Sequence, residues 1–304
     1  RTMSLPGVGL LGVTFGYVVA MDSPSARTPG SFHWGTTLWH EMAHVFTLEA
    51  TNHLVPRWYS EGISMYEEWQ ARPGWGERPS TNFLKAMQEK KLLPVAELDR
   101  GFVRPKYPGQ IIVSYFQAGL TCRMIAEQWE FEKLVDLLYG YAQGRSTADN
   151  IQEVLGITSE EFDERFQTFV TDELGERVRA LPEWRKTMKI AIEASNKKEW
   201  DAAIEAAAKG RDLFPEFVAK GTPYLVLGRA YDETGERGKA IEALLQYQKR
   251  GGKSPRSIKK LAGWLDEAGR RPEAIETCRI AGFAAGDQGV LGVGGAQQPP
   301  TVIG

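Results

Sequence analysis

The chain is poor in the two residue types that hold transition metals through nitrogen and sulfur: of 304 residues, four are histidine and two are cysteine. Cys122 and Cys278 lie far apart and form no Cys-x-x-Cys pair. Both sit in apolar helical patterns and read as buried thiols, with one long-range disulfide as the alternative. Two such cysteines do not identify a redox compartment. An excess of charge is also missing. With 37 basic and 39 acidic residues the formal net charge is −2, so no long-range attraction to nucleic acid or an anionic membrane surface is expected, and nucleic acid is not expected as a partner.

Long hydrophobic runs are absent as well, so no transmembrane segment is expected. The best candidate, Leu10 to Met21, falls well short of the roughly 20 apolar residues a spanning helix needs. Val13, Phe15, Tyr17 and Val19 alternate there with Thr14, Gly16 and Val18, a period of two that reads as a single strand rather than a signal segment. Because the chain starts with Arg1 rather than Met, it is expected to derive from a longer precursor, with any targeting segment upstream.

What is present begins with a 42% hydrophobic content, enough over this length for about two domains with cores of their own. Two of the four histidines are concentrated in His40-Glu41-Met42-Ala43-His44. This five-residue pattern would arise by chance on the order of once in a few hundred chains of this composition, so it carries information. On a helix, positions i and i+4 share a face, and His40 and His44 can converge on one ion with Glu41 at its edge. Leu38, Met42, Val45, Phe46 and Leu48 supply the apolar spacing of a helix over Trp34 to Glu49.

Zinc in hydrolytic sites takes three protein ligands and leaves a position for water, whose pKa it brings to about 7. Glu61, in Trp58-Tyr59-Ser60-Glu61-Gly62, would be the third ligand. It lies in the first turn of a second expected helix, Tyr59 to Gln70, where an acidic residue is also favoured by the helix dipole alone. Glu41 would then act as general base. Glu68, seven residues after Glu61, could orient a ligand histidine, although its spacing equally suits a solvated face. His33 and His53 flank the zinc helix and read as ordinary loop residues.

Further helices are expected at Thr81–Lys91, Gln110–Trp129, Glu132–Gln143, Ala148–Leu155 and Ser159–Leu181, with Ser146-Thr147 and Thr158-Ser159 as N-caps of the last two. From Trp184 the pattern becomes a repeat. Gly235 and Gly269, Ala240 and Ala274, and Ile241 and Ile275 are each separated by 34 residues. Leu227-Gly228-x-x-Tyr231 with Ala240 fits the tetratricopeptide pattern of paired helices, and three such repeats are expected. The resulting division is a catalytic domain over 1–183, helical repeats over 184–282 and a flexible tail over 283–304. The fold class is mostly α with a small β element, an α+β arrangement.

At His40-Glu41-x-x-His44 and Glu61 the chain resembles the gluzincin metallopeptidases, and most closely the bacterial peptidase-MA-like families that carry tetratricopeptide repeats. The resemblance covers roughly the first 140 residues. It implies a zincin-like catalytic domain, zinc held by His40, His44 and Glu61, and peptide-bond hydrolysis with Glu41 as base. Tyr115, in Tyr115-Phe-Gln-Ala-Gly119, resembles the family's helical tyrosine that polarises the oxyanion. By periodicity alone it would be a core aromatic among Ile111, Ile112 and Leu120.

The aminopeptidase branch has Asn where this chain has Ser60, and a Gly-x-Met-Glu-Asn strand whose glutamate anchors the substrate amine. Here the strand reads Gly16-Tyr-Val-Val-Ala-Met21-Asp22, so an endopeptidase acting on peptide or protein is favoured over an aminopeptidase. The strand could pair with an extended substrate. From a different class, an inactive zincin-fold scaffold whose repeats bind protein partners remains the alternative. The resemblance also suggests a bacterial, extracytoplasmic setting.

Overall fold

A computed structural model describes residues 11–23 and 33–285, with side chains as far as residue 279. Most of the tail expected over 283–304, and most of the loop expected over 22–30, lie outside the described residues; residues 283–285 are helical. The chain divides into two compact units, Arg1–Asp22 with Gly35–Gly252, and Ser23–Trp34 with Lys253–Gly304. Each is described by itself.

The first unit opens with a hairpin, β1 (Gly12–Phe15) and β2 (Val18–Met21), paired antiparallel from Gly12↔Met21 to Phe15↔Val18. This corrects the single strand read from the alternation. Gly16 takes a positive φ of 55°, which lets a two-residue loop reverse the chain where an uninterrupted strand was expected. In β1 the facing is also the opposite of what the apolar period implies: Thr14 is fully buried, while Phe15 is exposed.

Helices then build the body: α1 (Trp34–Ala50), α2 (Arg57–Ala71), α3 (Thr81–Gln88), α4 (Arg100–Val103), α5 (Gln110–Trp129), α6 (Phe131–Ala142) and α7 (Thr147–Leu155). A 3-10 turn, Val95–Glu97, precedes α4. The core of this region is the packing of α2 on α5. The approach is close because both contact surfaces carry glycine. A Cβ on Gly62 would lie 2.7 Å from the Ala118 carbonyl oxygen and 2.7 Å from Cys122 Sγ, and one on Gly119 would lie 2.8 Å from Met65 Cβ. Trp58, Tyr59, Phe83 and Met124 fill the surroundings and are buried.

The start of α2 is stabilised from a distance. Its N-cap, Pro56, offers no side-chain acceptor. The Asp99 carboxylate, 41 residues away, accepts the Trp58 backbone N–H at 2.7 Å instead and also takes the Arg57 N–H. A carboxylate at a helix N-terminus satisfies donors the helix cannot satisfy itself.

The expected N-caps are in place. Ser146 Oγ accepts the Asp149 N–H, and Thr158 with Glu161 forms a reciprocal capping box. The helix that follows, α8, runs over Ser159–Lys197 with Pro182 inside it, past the end at Leu181 that the proline suggested. Buried Leu181, Trp184, Met188, Ala191 and Ala194 continue one apolar stripe, so packing outweighs the one hydrogen bond that proline removes. The expected boundary between residues 183 and 184 therefore falls inside a continuous helix.

The C-terminal half of α8 packs on α9 (Trp200–Leu213), and α10 (Pro223–Glu233) packs on α11 (Arg237–Lys249). At Gly228 a Cβ would meet Leu244 Cδ2 at 2.8 Å, which accounts for the small residue in Leu227-Gly228-x-x-Tyr231. The second unit contains the pair α12 (Pro255–Glu267) and α13 (Arg271–Ala285). The start of α13 follows the start of α11 by 34 residues, from 237 to 271. The described residues are thus mostly helical, with one small two-stranded sheet. Among them, no helix is long and apolar enough to cross a membrane.

Candidate metal centre

Helix α1 carries His40, Glu41 and His44, and α2 carries Glu61 in its second turn. Ligand atoms of His40, His44 and Glu61 lie within 4.8 Å of one another. Glu61 Oε2 stands 3.2 Å from His40 Nε2 and 3.2 Å from His44 Nε2. Two imidazole nitrogens and one carboxylate oxygen this close together form a donor set that could hold a metal ion.

The opposite edges of both imidazoles are already engaged, and that leaves the two Nε2 atoms for an ion. His40 Nδ1–H donates to Glu68 Oε1 at 2.5 Å. His44 Nδ1 is hydrogen-bonded to Ser60 Oγ at 2.8 Å. From there a chain of hydroxyls returns to the helix: Ser60 lies 2.6 Å from Thr47 Oγ1, which donates to the His44 carbonyl at 3.3 Å. Ser64 adds a bond to the His40 carbonyl at 3.1 Å. Ring tautomers fixed in this way are the usual support of a metal-binding histidine. His44, Glu61, Glu68, Ser60 and Ser64 are all buried.

Glu68 is therefore not the solvated residue that its helical spacing equally allowed. Its carboxylate is 5% exposed, because its face of α2, seven residues on from Glu61, points at α1 rather than at water. Ser60, where the aminopeptidase branch has Asn, holds His44.

The electrostatics favour positive charge at this point. Burial alone would lower the His40 pKa, but hydrogen bonds and proximity to Glu61 and Glu68 hold it well above the ordinary imidazole value. For Glu61, burial would raise the pKa, and the facing His44 and His40 hold it well below the usual carboxylate range.

Glu41 sits at the hairpin edge of the cluster. Its Oε2 accepts the Thr14 hydroxyl at 2.7 Å, and Thr14 also bonds the Glu41 carbonyl at 2.9 Å. Gly12 approaches so closely that a Cβ there would lie 2.7 Å from Glu41 Cγ. β1 thus contacts the carboxylate with a backbone and a hydroxyl, which explains why its inward face is not apolar.

Tyr115, on α5, reaches the cluster: its OH donates to Glu61 Oε1 at 3.0 Å. Burial, reinforced by the Glu61 charge, holds the phenol pKa well above 10, so the hydroxyl keeps its proton. Arg57 Nε donates to the same Oε1 at 3.2 Å. His53 carries a positive φ of 62° in the turn after α1, and its Nε2 lies 3.9 Å from Glu49, away from the cluster. Trp58 of the Trp-x-x-Glu-Gly element is buried, with its indole N–H donating to Thr147 Oγ1 at 3.2 Å; it anchors α2 rather than lining the site. Both cysteines are free thiols, Cys122 buried beneath Gly62 and Cys278 half-buried.

Sequence reasoning passed over Thr14 and Arg57 altogether and gave Ser60 no part in the site. For Arg57 a signal existed, since it precedes Glu61 by four residues, one helical turn. Thr14 had none, because its partner is 27 residues away.

Residues 26–172 match the family model of the Peptidase MA superfamily, a stretch that includes all of α1 to α7 and the first part of α8. This supports a peptidase-like fold for that region. No curated protein and no solved structure matches the chain.

Proposed function

We propose that this chain is a zinc-dependent peptidase whose metal is held by His40, His44 and Glu61. The observation that carries the reading is the convergence of two Nε2 atoms on one carboxylate oxygen, each 3.2 Å from it, with both Nδ1 atoms already bonded elsewhere.

Zinc in such a site supplies Lewis-acid polarisation of a carbonyl and brings the pKa of water to about 7. The protein's own residues do the rest. Glu41, placed by Thr14 beside the histidines, takes the proton from the attacking water and passes it to the leaving amine. Tyr115 turns its protonated hydroxyl from Glu61 to the oxygen on which negative charge develops. Glu68 and Ser60 keep the imidazoles in register. The β1–β2 hairpin, adjacent to Glu41, is the element whose backbone groups would pair with an extended peptide.

Cleavage within a chain is favoured over removal of the first residue. Facing α1, the hairpin presents Gly12, Thr14, Val19 and Met21 by register, and none of them can pair with a substrate amine. The C-terminal helix pairs, with their 34-residue spacing, fit a tetratricopeptide module that binds a protein partner. The family resemblance favours an extracytoplasmic bacterial setting.

The test is zinc content together with cleavage of blocked and free peptides. One equivalent of zinc, hydrolysis of N-terminally blocked peptides, and a Glu41→Gln variant that keeps zinc but loses activity by about 10²–10⁴-fold are expected. A zinc-loaded wild type that cleaves nothing across a broad peptide library would favour the scaffold alternative, and an active Glu41→Gln would refute the mechanism.

A further inference from the structure

The two oxygens of Glu61 stand in different environments. Oε2 faces both histidines, whereas Oε1 accepts two hydrogen bonds, one from Tyr115 OH at 3.0 Å and one from Arg57 Nε at 3.2 Å. A carboxylate oxygen has two lone-pair sites, and both are taken. Oε1 is therefore withheld from an ion that Oε2 can reach.

Arg57 is built into this position. It is the first residue of α2, one turn before Glu61, and its backbone N–H is held by Asp99. Its guanidinium carbon lies 5.8 Å from the centre of the Phe102 ring, which also packs edge-on against Tyr115 at 5.1 Å. The side chain is only 14% exposed. A planar cation held between an aromatic face and a carboxylate has little freedom to leave.

We infer that Arg57 is a positioning residue that restricts Glu61 to metal ligation through Oε2 alone and keeps Oε1 occupied when Tyr115 turns toward substrate. The inference rests on the metal site proposed above. Tyr115 has two uses for one hydroxyl, and during turnover Oε1 loses that donor. Without Arg57, the freed oxygen could swing onto the ion and take a coordination position that the reaction needs open. With Arg57 in place, Glu61 stays a one-oxygen ligand throughout.

The test measures metal rather than turnover. Zinc affinity is determined by competition with a chromogenic chelator, and the visible spectrum is recorded after cobalt substitution, for wild type, Arg57→Met, Arg57→Lys and Tyr115→Phe, with melting of each apoprotein as the check on folding. Expected are a 10–100-fold loss of zinc affinity in Arg57→Met, a weaker cobalt absorption as the second carboxylate oxygen joins, partial recovery of both in Arg57→Lys, and near wild-type affinity in Tyr115→Phe, where Arg57 still holds Oε1. If Arg57→Met does not fold, Arg57→Lys against Tyr115→Phe decides: a larger loss in the lysine variant supports the inference, and equal affinities overturn it. A folded Arg57→Met with wild-type affinity and spectrum overturns the inference while leaving the metal site standing. A wild type that takes up neither zinc nor cobalt overturns both.

Discussion

Glu68 Oε1 lies 2.5 Å from His40 Nδ1, and that pairing ties one turn of α2 to one turn of α1 across the candidate metal site. The two residues are 28 apart in sequence. The contact fixes the tautomer that presents Nε2 to an ion, so its loss acts on metal affinity before it acts on chemistry. Glu68→Gln is expected to weaken zinc binding by about 10–100-fold, with a smaller effect on the rate of fully zinc-loaded enzyme. Isothermal titration with zinc, paired with rates at saturating metal, checks it. Unchanged affinity would mean that Glu68 does not orient His40.

Gly12 tests how β1 controls Glu41, the proposed base. A Cβ there would approach Glu41 Cγ to 2.7 Å and Oε1 to 2.8 Å, too close to fit without displacing the carboxylate. Gly12→Ala is therefore expected to leave zinc content at one equivalent and to reduce kcat by tenfold or more, since small misplacements of a reacting group are costly. Metal analysis beside peptide hydrolysis separates this from loss of the site.

Asp99 gives a stability effect with a definite sign. Burial raises its pKa above 3.8, against the lowering effects of its backbone bonds to Trp58 and Arg57 and of the Arg57 charge. Over the window between 3.8 and the raised folded value, the native chain holds a proton that the unfolded chain has released. Wild type therefore loses stability relative to Asp99→Asn as pH rises through that window, and the difference is flat above it. Above that window Asp99→Ala should cost about 0.5–2 kcal/mol, through loss of the acceptor at the start of α2, and its cost should be greater below the window. Denaturant unfolding at several pH values measures both.

Much of the helical frame was legible because local rules govern it. The apolar stripe placed α1 to within a residue of its observed end, and α5 at its observed limits, Gln110 and Trp129. Ser146 and Thr158 marked true helix starts by their capping chemistry. The i, i+4 spacing of His40 and His44 was enough to place both on one face. The hairpin was not legible as such, because its alternation continues through Gly16 and only the positive φ at that residue turns the chain. The length of α8 was hidden by Pro182, whose local preference is overridden by the packing of Trp184, Met188 and Ala191.

By itself the sequence determined the donor types, their helical spacing and the candidate base: His40, Glu41, His44 and Glu61. The shared face of His40 and His44 follows from periodicity, a property of neighbouring residues, whereas the parts given to Glu41 and Glu61 follow from the motif and its family resemblance. Only the tertiary structure decided that Glu68 faces His40, that Ser60 holds His44, that Thr14 sets Glu41, and that Arg57 and Tyr115 share one oxygen of Glu61. Most of those relationships join segments between 16 and 54 residues apart, and even Arg57, one turn from Glu61, acquires its meaning from Phe102 and Tyr115. A hydrogen bond between distant segments leaves no period in the sequence; it exists only once packing has brought the two helices and the hairpin together.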